Sequence, residues 1–448
     1  MNRKNTMEQI WITEPARQCP VIDKADVLVV GGGVGGVGAA VAAARQGARV
    51  VLVEAHGCLG GMLSLGLITS CCGGVDISGN KRLIGGIWKE LIDRMTAMGG
   101  CIPGNRLLEH GKYFPLDKTR YEKDPQITPF DPECVKLVCD QLVQEANVSV
   151  YLCSYFSDVV YQDGKPAGII IENKSGRKAI LAKQFVDSSG DLSLARAMGA
   201  GIRGGGEEVG QLTLEFRVGG VREVLPSYQT DIPELPNRTV NFMPGVRTGE
   251  IRAEMTRYDG NPRDSADITQ SYMTCRAQAT QLVEYLRKNW PGCENAYLMD
   301  TASMMGSLVL PRIYGRKTVT QQDILKNRVP EDRIALNAFG IDIADPEDPS
   351  RFILHLLEPG EYYGISYGCI VPQDVDNLLI GGRCASAEDD AASAGLCSAI
   401  SMALGEAAGT AAALSVKQNT CPANLDVKLL QTVLVNNGAL LEPEEIQD

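Results

Sequence analysis

A glycine-rich turn between two apolar segments constrains the fold of this chain more than any other feature. Residues 26–30 form an apolar, β-branched run, residues 31–36 match the pattern G-x-G-x-x-G, and an alanine-rich stretch extends to Arg45. A second apolar run ends at Glu54, 23 positions after Gly31. This order of strand, turn, helix and strand predicts a βαβ unit that binds the ADP part of a dinucleotide.

Each position of the turn has a physical task in such a unit. Gly31 permits the tight turn, Gly33 lets the backbone approach a pyrophosphate, and Gly36 lets the helix lie close to the sheet. The helix N-terminus directs amide donors and the positive end of its dipole towards phosphates. Glu54 is placed to accept hydrogen bonds from a ribose. The alternative is a glycine-rich loop of purely structural use, and the motif alone does not distinguish NAD from FAD.

Length and charge limit the remaining possibilities. A chain of 448 residues exceeds what one hydrophobic core usually serves, so we expect two packed domains or one large domain with an insertion. A net charge of −12 without a visible basic patch argues against nucleic acid and membranes as partners. The longest apolar run, residues 27–44, contains six glycines and is interpreted as neither a signal peptide nor a membrane span. We therefore expect a cytoplasmic protein.

The 14 cysteines form no C-x-x-C motif and match no zinc or iron–sulfur spacing, so we expect reduced thiols and no metal site. Cys134 and Cys139 have the spacing of a redox pair but fall in a predicted helix over residues 131–146. Five residues along a helix place the two thiols on different faces, which favours a structural interpretation.

Several ordered blocks follow the dinucleotide motif. They are Leu-Gly-Gly-Met at residues 59–62, Asp-Ser-Ser-Gly-Asp at 187–191, an apolar segment ending in Gly-Gly-Arg at 383, and a small-residue helix at 402–413. With these blocks the chain resembles a family of FAD-dependent oxidoreductases that is distantly similar to fumarate-reductase-type flavoproteins. The resemblance covers residues 20–415 and implies FAD as the cofactor.

The physical features of these blocks agree with a long cofactor. Gly60 and Gly61 bring amides near a pyrophosphate, and Gly190 precedes Asp191 in a second glycine turn. A strand that returns late in the chain implies that the cofactor extends past the first βαβ unit, which favours FAD over NAD. Phe156 is predicted either to contact the adenine or to be a core aromatic. The predicted FAD contacts are Gly31, Gly33, Val34, Gly35, Gly36, Glu54, Ala55, Gly60, Gly61, Met62, Phe156, Ser189, Gly190, Asp191, Gly382, Arg383 and Ala394.

The predicted fold is α/β, with a Rossmann-like FAD-binding domain of the glutathione-reductase/fumarate-reductase type and an inserted α+β substrate domain, or cap. We assign residues 20–200 and 360–420 to the FAD-binding domain, 201–359 to the cap and 421–448 to a C-terminal tail. Short strands with a hairpin turn at residues 163–165 are placed in the FAD-binding domain. In the cap, we expect one strand over Leu212–Val218 and a long helix over Asp267–Lys288, capped at or near Asp267. There is no second glycine motif for a separate NAD(P)H domain.

The resemblance also implies an active site from which this chain departs. Family members often present a His-Glu pair, an arginine seven residues beyond that histidine, and another arginine within the segment equivalent to 306–315. This chain keeps Arg312 but has Leu308 and Leu396 where arginines are expected and Asp389 where the histidine is expected. Because arginine forks bind carboxylates, their loss favours a neutral, polyhydroxylated or cationic substrate over a dicarboxylate. Alternatively, Asp389 or Asp390 caps the closing helix, which we expect to begin near Ala391 with its N-terminus at the flavin.

Tyrosines and cysteines supply further candidates. Tyr362, Tyr363 and Tyr367 precede the late strand and either line the cleft or pack in the core. Cys71 and Cys72 follow the Gly-Gly-Met segment, but nothing nearby is expected to lower their pKa. His56 is interpreted as local packing. The predicted catalytic residues are Arg312, Tyr363, Tyr367, Glu388 and Asp389.

The predicted activity is two-electron hydride transfer between the N5 atom of FAD and a small organic substrate. One alternative is a fumarate-reductase-like reductase of activated C=C bonds, and another is a flavin-binding subunit without catalysis. Expected partners are the small-molecule substrate and either a second copy of the chain or a redox partner protein.

Overall fold

The computed structural model describes residues 11–71, 73–102, 128–205, 209–222, 230–235, 239–307, 311–344, 352–389, 391 and 398–446. Within them the strands are β1 Val21–Val30, β2 Val50–Val53, β3 Ser70–Cys71, β4 Lys81–Arg82, β5 Thr128–Pro129, β6 Ser149–Tyr151, β7 Tyr155–Gln162, β8 Lys165–Asn173, β9 Gly176–Asp187, β10 Ile202–Arg203, β11 Gly210–Thr213, β12 Phe216–Gly219, β13 Thr230–Asp231, β14 Thr239–Pro244, β15 Ile251–Glu254, β16 Tyr258–Gly260, β17 Tyr297–Thr301, β18 Gly306–Ser307, β19 Arg312–Ile313, β20 Arg333–Asn337, β21 Ile341–Ala344, β22 Phe352–His355, β23 Tyr363–Ser366, β24 Leu378–Ile380 and β25 Glu444–Glu445. The helices are α1 Val34–Arg45, α2 Gly86–Ala97, α3 Pro132–Glu145, α4 Ser193–Ala197, α5 Ser265–Asn289, α6 Gln321–Leu325, α7 Ser398–Gln418 and α8 Val427–Asn436.

The main sheet begins with the predicted βαβ unit. Strands β6, β2, β1 and β9 lie side by side in parallel, and β24 pairs in parallel with the last residues of β9. Residues Val27–Val30 and Val50–Val53 are buried, as expected for parallel strands covered on both faces. The fold is therefore mixed α/β with a parallel sheet, and its last parallel strand comes from late in the sequence.

The predicted short strands form an antiparallel extension of this sheet. Strand β8 pairs with the first half of β9, and β7 pairs with β8. Asp163 and Gly164 both have positive φ at the hairpin between β7 and β8, in agreement with the predicted turn.

Two boundaries in the cap region differ from the sequence prediction. The strand predicted over Leu212–Val218 is interrupted, and β11 and β12 belong to different sheets. The long helix α5 begins at Ser265, because the Asp264 carboxylate accepts hydrogen bonds from the amides of Ala266 and Asp267. Asp264, rather than Asp267, is the capping residue.

A five-stranded sheet of order β13-β14-β15-β12-β17 is the main layer of the cap region. One of its faces packs against α5 through the apolar side chains of Phe216, Val218, Phe242, Ala253, Leu282 and Leu286. The backbone amides of Ser303 and Met304 donate to the carbonyl of Leu65, at 2.9 and 3.2 Å. The segment that follows Gly60-Gly61 therefore connects the main sheet to the cap.

Helices α1 and α7 cross at very short range because glycines lie at their contact. A Cβ atom at Gly405 would overlap the carbonyl oxygen of Gly35, and one at Gly409 would overlap that of Ala39. By length and apolarity α7 meets the criterion for a membrane span, but 89% of its apolar window is buried inside the protein. It is the central helix of the largest apolar cluster, which it shares with α1.

The predicted tail at 421–448 packs on this core. Leu430 and Leu434 of α8 are buried, and β25 pairs with β4. The carbonyl of Gly438 accepts a hydrogen bond from the amide of Gly86, at the start of α2. The described tail residues are therefore part of the folded structure.

A buried glutamate of α7 also caps α2. The Glu406 carboxylate accepts a hydrogen bond from the amide of Ile87 at 3.1 Å, and Gly86 has a φ of +57° beside it. Burial raises the pKa of Glu406 to about 7, and the hydrogen bond from Ile87 opposes that shift only in part. The neutral carboxyl is therefore the stable form in the folded protein across mildly acidic pH.

Substituting Glu406→Gln should increase stability at alkaline pH. A folded-state pKa above the unfolded value means that stability falls as pH rises between the two values and stays low above about pH 7. We expect the variant to gain on the order of 1–3 kcal/mol at about pH 8 and little at about pH 5. Thermal unfolding at the two pH values tests this: an equal gain at both would show that Glu406 is ionised throughout, and no gain at either would show that it stays neutral.

Candidate active site

The glycine turn lies where β1 and β9 end. Gly31 donates to the carbonyl of Val53 at 2.8 Å, and Ser188 donates to that of Val30 at 2.8 Å. Gly31 has a φ of +98°, and a Cβ there would overlap the backbone of Ser188. A Cβ at Gly36 would likewise overlap the carbonyl oxygen of Gly31. Both positions require glycine for the tasks that the motif predicts.

The turn at Gly60–Gly61 lies directly against the turn at Gly31–Gly36. The amide of Gly60 donates to the carbonyl of Gly32 at 2.9 Å, and a Cβ on Gly61 would lie 2.8 Å from the Cα of Gly33. Gly33 itself borders open space, because a Cβ there would meet only the Cα of Gly61, at 3.9 Å. The α1 N-terminus and the Gly60–Gly61 turn thus form a backbone cradle with room for a ligand.

Glu54 is held at the edge of this cradle by three donors. The amide of Gly32 donates to Oε2 at 2.6 Å, while the amide and the Nδ1 atom of His56 both lie 2.8 Å from Oε1. Burial raises the pKa of Glu54, but hydrogen bonds from His56 and Gly32 outweigh it and keep the pKa below its usual value. The hydrogen bond with Glu54 raises the pKa of His56. The carboxylate is therefore ionised and oriented before any ligand binds.

The third predicted cofactor segment closes the same edge of the sheet. The amide of Gly381 donates to the carbonyl of Asp187 at 2.9 Å, and the Arg383 guanidinium donates twice to the carbonyl of Gly190, at 3.0 and 2.7 Å. Burial raises the pKa of Asp187, although its carboxylate accepts from Ser189 and Ala195. The structure therefore brings Gly190, Arg383 and the Gly31 turn together at the carboxyl ends of the parallel strands.

Four other predicted cofactor residues have defined surroundings. The Asp191 carboxylate accepts from the amide of Ser193 at 3.0 Å, in the first turn of α4. Phe156 packs on the apolar cluster behind the sheet, which favours its interpretation as a core aromatic. Val34 is buried at the start of α1, and Ala55 follows Glu54 in a half-buried position.

The predicted catalytic residues fall into two groups. Arg312 is buried on β19 and forms an ion pair with Asp389, whose side chain is 80% exposed. The Glu388 carboxylate accepts from the amide of Gln321 at 2.9 Å, at the start of α6. Leu308, Asp390, Ala394, Leu396 and Cys72 lie outside the described residues.

The two tyrosines are buried in the core. The Tyr363 hydroxyl accepts from Asn337 at 2.8 Å and donates to the carbonyl of Phe339, while the Tyr367 hydroxyl donates to that of Pro422 at 2.9 Å. Burial raises the pKa of Tyr367 further from neutrality. These contacts favour the packing interpretation of both side chains over a role in the cleft.

Comparison with known proteins identifies the cofactor class. The family model described as FAD dependent oxidoreductase matches residues 26–434. The chain belongs to this family. As an FAD-dependent oxidoreductase it is an enzyme with FAD as its cofactor. No curated protein matches its sequence.

Solved structures of three other proteins are similar to most of this oxidoreductase at low sequence identity. A geranylgeranyl bacteriochlorophyll reductase-like protein from Thermoplasma acidophilum has 14% identity, covering 93% of this chain and 84% of that chain, with a TM-score of 0.48. A flavin-dependent brominase has 14% identity, coverages of 92% and 83%, and a TM-score of 0.49. The p-nitrophenol 4-monooxygenase of Pseudomonas putida DLL-E4 has 12% identity, coverages of 92% and 84%, and a TM-score of 0.48.

The described residues of this oxidoreductase fit FAD. The open backbone cradle at Gly33 and Gly61 suits a pyrophosphate, and the preoriented Glu54 carboxylate suits a ribose. His56 is the part of the site that sequence reasoning did not identify, although its position two residues after Glu54 was available as a signal.

Replacing His56 with alanine should weaken FAD binding without removing it. The variant loses one hydrogen bond to Glu54 but keeps the two backbone amides on that carboxylate. One hydrogen bond to a charged group contributes about 1.5–3 kcal/mol, and because water replaces it at this half-exposed position we expect an increase in Kd of about 3- to 10-fold. A titration of apoprotein with FAD, followed by flavin fluorescence, measures it, and an unchanged Kd would contradict the role of His56.

Proposed function

We propose that this FAD-dependent oxidoreductase transfers a hydride between flavin N5 and a small organic substrate that is neutral or cationic. The observation that supports this substrate class is the ion pair between Arg312 and Asp389. Arg312 is the arginine that the sequence retains from the family pattern. Asp389 balances its charge at one terminal nitrogen, while its buried Nε has no hydrogen-bond partner among the described residues. A substrate carboxylate would have to displace Asp389 to bind it.

The bound flavin supplies the redox chemistry, accepting or donating a hydride at N5. The chain's own residues bind and orient it. In this proposal, amides at Gly33 and Gly61 contact the pyrophosphate, and Glu54 accepts from the adenosine ribose.

We also propose the glutathione-reductase/fumarate-reductase arrangement for this chain. The parallel sheet, its antiparallel extension and the late return through β24 and α7 support it. In this proposal residues 20–200 and 360–420 form the FAD-binding domain, 201–359 the cap and 421–448 its C-terminal extension. A cytoplasmic location belongs to the same proposal, as does a homo-oligomer or a redox partner protein.

Anaerobic bleaching of the flavin absorbance band tests the activity. The FAD-bound protein is mixed with benzylamine, glycerol or another amine or polyol, while the photoreduced protein is mixed with fumarate or another enoate. We expect bleaching by a member of the first group. Reoxidation by fumarate alone would favour the fumarate-reductase-like alternative, and no response to any compound would favour a flavin-binding subunit without catalysis.

The variant Asp389→Asn sharpens this test. It removes the negative charge beside Arg312, so binding of succinate, measured by its effect on the flavin spectrum, should become detectable or stronger. The matched variant Asp376→Asn changes an exposed carboxylate of the same region and should leave succinate binding unchanged. Equal succinate binding by the wild type and both variants would contradict the proposed role of the ion pair.

A further inference from the structure

The cap sheet carries a second set of charged side chains on the face opposite α5. Side chains alternate between the two faces of a strand, and Phe216 and Val218 face α5. Arg217 is paired in register with Arg252 and with Asp300 on the neighbouring strands. We call the resulting surface the inner polar face, formed by Glu215, Arg217, Arg252, Glu254 and Asp300.

The inner polar face is turned towards the FAD-binding side of the molecule. Met243 is paired in register with Arg252, and its sulfur accepts a hydrogen bond from the Ser70 hydroxyl at 2.8 Å. Ser70 lies at the end of the segment that begins at the Gly60–Gly61 turn. The same segment binds the cap backbone through the carbonyl of Leu65. The charged face therefore meets the part of the chain that continues directly from the cofactor cradle.

Most charges on this face are balanced by near neighbours. Arg217 and Asp300 form a two-point ion pair with distances of 3.0 and 2.5 Å. Glu254 lies 3.9 Å from Arg252 and 3.4 Å from Arg257. On this face Glu215 is left with a longer closest contact, 3.5 Å between its Oε2 atom and Arg252.

Glu215 is buried with hydrogen-bonding capacity unused. Its side chain is 5% exposed, the nearest guanidinium nitrogen of Arg252 is 3.5 Å away, and its Oε2 atom has no hydrogen-bond partner within the described part of the chain. Burial raises the pKa of Glu215 to about 8, although the charge of Arg252 opposes the shift. Buried polar groups in native proteins are normally paired, and perturbed carboxyls concentrate at functional sites.

We propose that Glu215 contacts the substrate and forms a hydrogen bond with its hydroxyl or ammonium group. This inference rests on the proposed function, because it deepens the substrate class of the same enzyme. The Oε2 atom of Glu215 lacks a hydrogen-bond partner among the described residues. A substrate hydroxyl supplies a partner to either protonation state of the carboxyl group, and a substrate ammonium group stabilises its ionised form. The inner polar face thereby selects alcohols and amines by chemistry that lies on the cap and is independent of the Arg312–Asp389 pair.

Ligand-induced changes in the flavin spectrum of the FAD-bound protein test this assignment. Benzylamine, glycerol and succinate serve as probes, and Glu215→Gln preserves the shape of the side chain while removing its ability to ionise. We expect this variant to retain FAD and to bind benzylamine or glycerol about 10-fold more weakly or worse. The matched control Glu284→Gln, on the exposed side of α5, should bind the probes as the wild type does.

Two results would overturn the assignment: no binding of benzylamine or glycerol to the wild type, or unchanged probe binding by Glu215→Gln. If Glu215→Gln does not fold, Glu215→Asp keeps the carboxyl group on a side chain that is shorter by one methylene. Unchanged probe binding by that variant counts against the assignment equally. Probe binding that depends on Glu215 without any flavin bleaching would contradict the proposed function alone. Bleaching that is insensitive to both substitutions would contradict the assignment of Glu215 alone.

Discussion

Replacing Gly405 with alanine should prevent the chain from reaching its native structure. The added Cβ would overlap the carbonyl oxygen of Gly35, and neither backbone is able to yield unless α1 and α7 separate. Adding one methyl group to a packed core lowers stability by about 1–3 kcal/mol when neighbouring side chains can move aside. Here the added atom would meet a backbone carbonyl oxygen in a neighbouring helix, which cannot move aside in that way. We expect a loss above about 3 kcal/mol, visible as insoluble expression or as a greatly lowered thermal midpoint without bound FAD.

A matched pair of variants separates the helix crossing from a general effect on α7. Gly409→Ala places a Cβ against the carbonyl oxygen of Ala39 and should behave like Gly405→Ala. Ala403→Ser adds one heavy atom at a half-buried position of the same helix and should change stability by less than about 1 kcal/mol. Near-native stability of both glycine variants would mean that the two helices do not approach as closely as described.

Replacing Gly33 with alanine should give the opposite combination, a folded protein that does not retain FAD. The new Cβ would meet only the Cα of Gly61, at 3.9 Å, so the fold has room for it. The methyl group occupies the space through which the backbone approaches the pyrophosphate. Loss of one or two hydrogen bonds to a charged group, each about 1.5–3 kcal/mol, corresponds to a Kd at least about 10- to 100-fold higher.

The flavin-to-protein absorbance ratio and an FAD titration of the apoprotein measure this loss, and the thermal midpoint of the apoprotein monitors the fold. Gly57→Ala is the matched control, since its Cβ would lie 3.8 Å from the sulfur of Cys153, outside the cradle. Full FAD retention by Gly33→Ala would place the pyrophosphate elsewhere. A lowered apoprotein midpoint would show that Gly33 is needed for folding rather than for binding.

Sequence reasoning predicted the cofactor segments because each is encoded by neighbouring residues. The turn at Gly31–Gly36 and the hairpin at Asp163 depend on local backbone conformation, which short motifs specify well. The late strand β24 was predicted from a resemblance in ordered blocks, and its register with Phe185 makes it part of the main sheet.

The surroundings of the predicted catalytic residues depend on distant partners that no local pattern specifies. Arg312 and Asp389 are 77 positions apart, and the Tyr367 hydroxyl donates to Pro422, 55 positions away. The Glu215–Arg252 contact likewise depends on the register between β12 and β15. The sequence did not indicate this register, because it predicted one unbroken strand over Leu212–Val218. These contacts are set by how the strands pair in the folded protein.

The glycine crossing between α1 and α7 has a consequence for how the protein is made. The βαβ unit near the N-terminus completes its packing only after the helix over Ser398–Gln418 has left the ribosome, because that helix covers one side of α1. Until then the apolar face of α1 has no native cover, and long-range contacts of this kind form slowly. Translation must therefore pass Gln418 before this packing can form, and the apolar surface that stays exposed until then makes a nascent chain prone to aggregation.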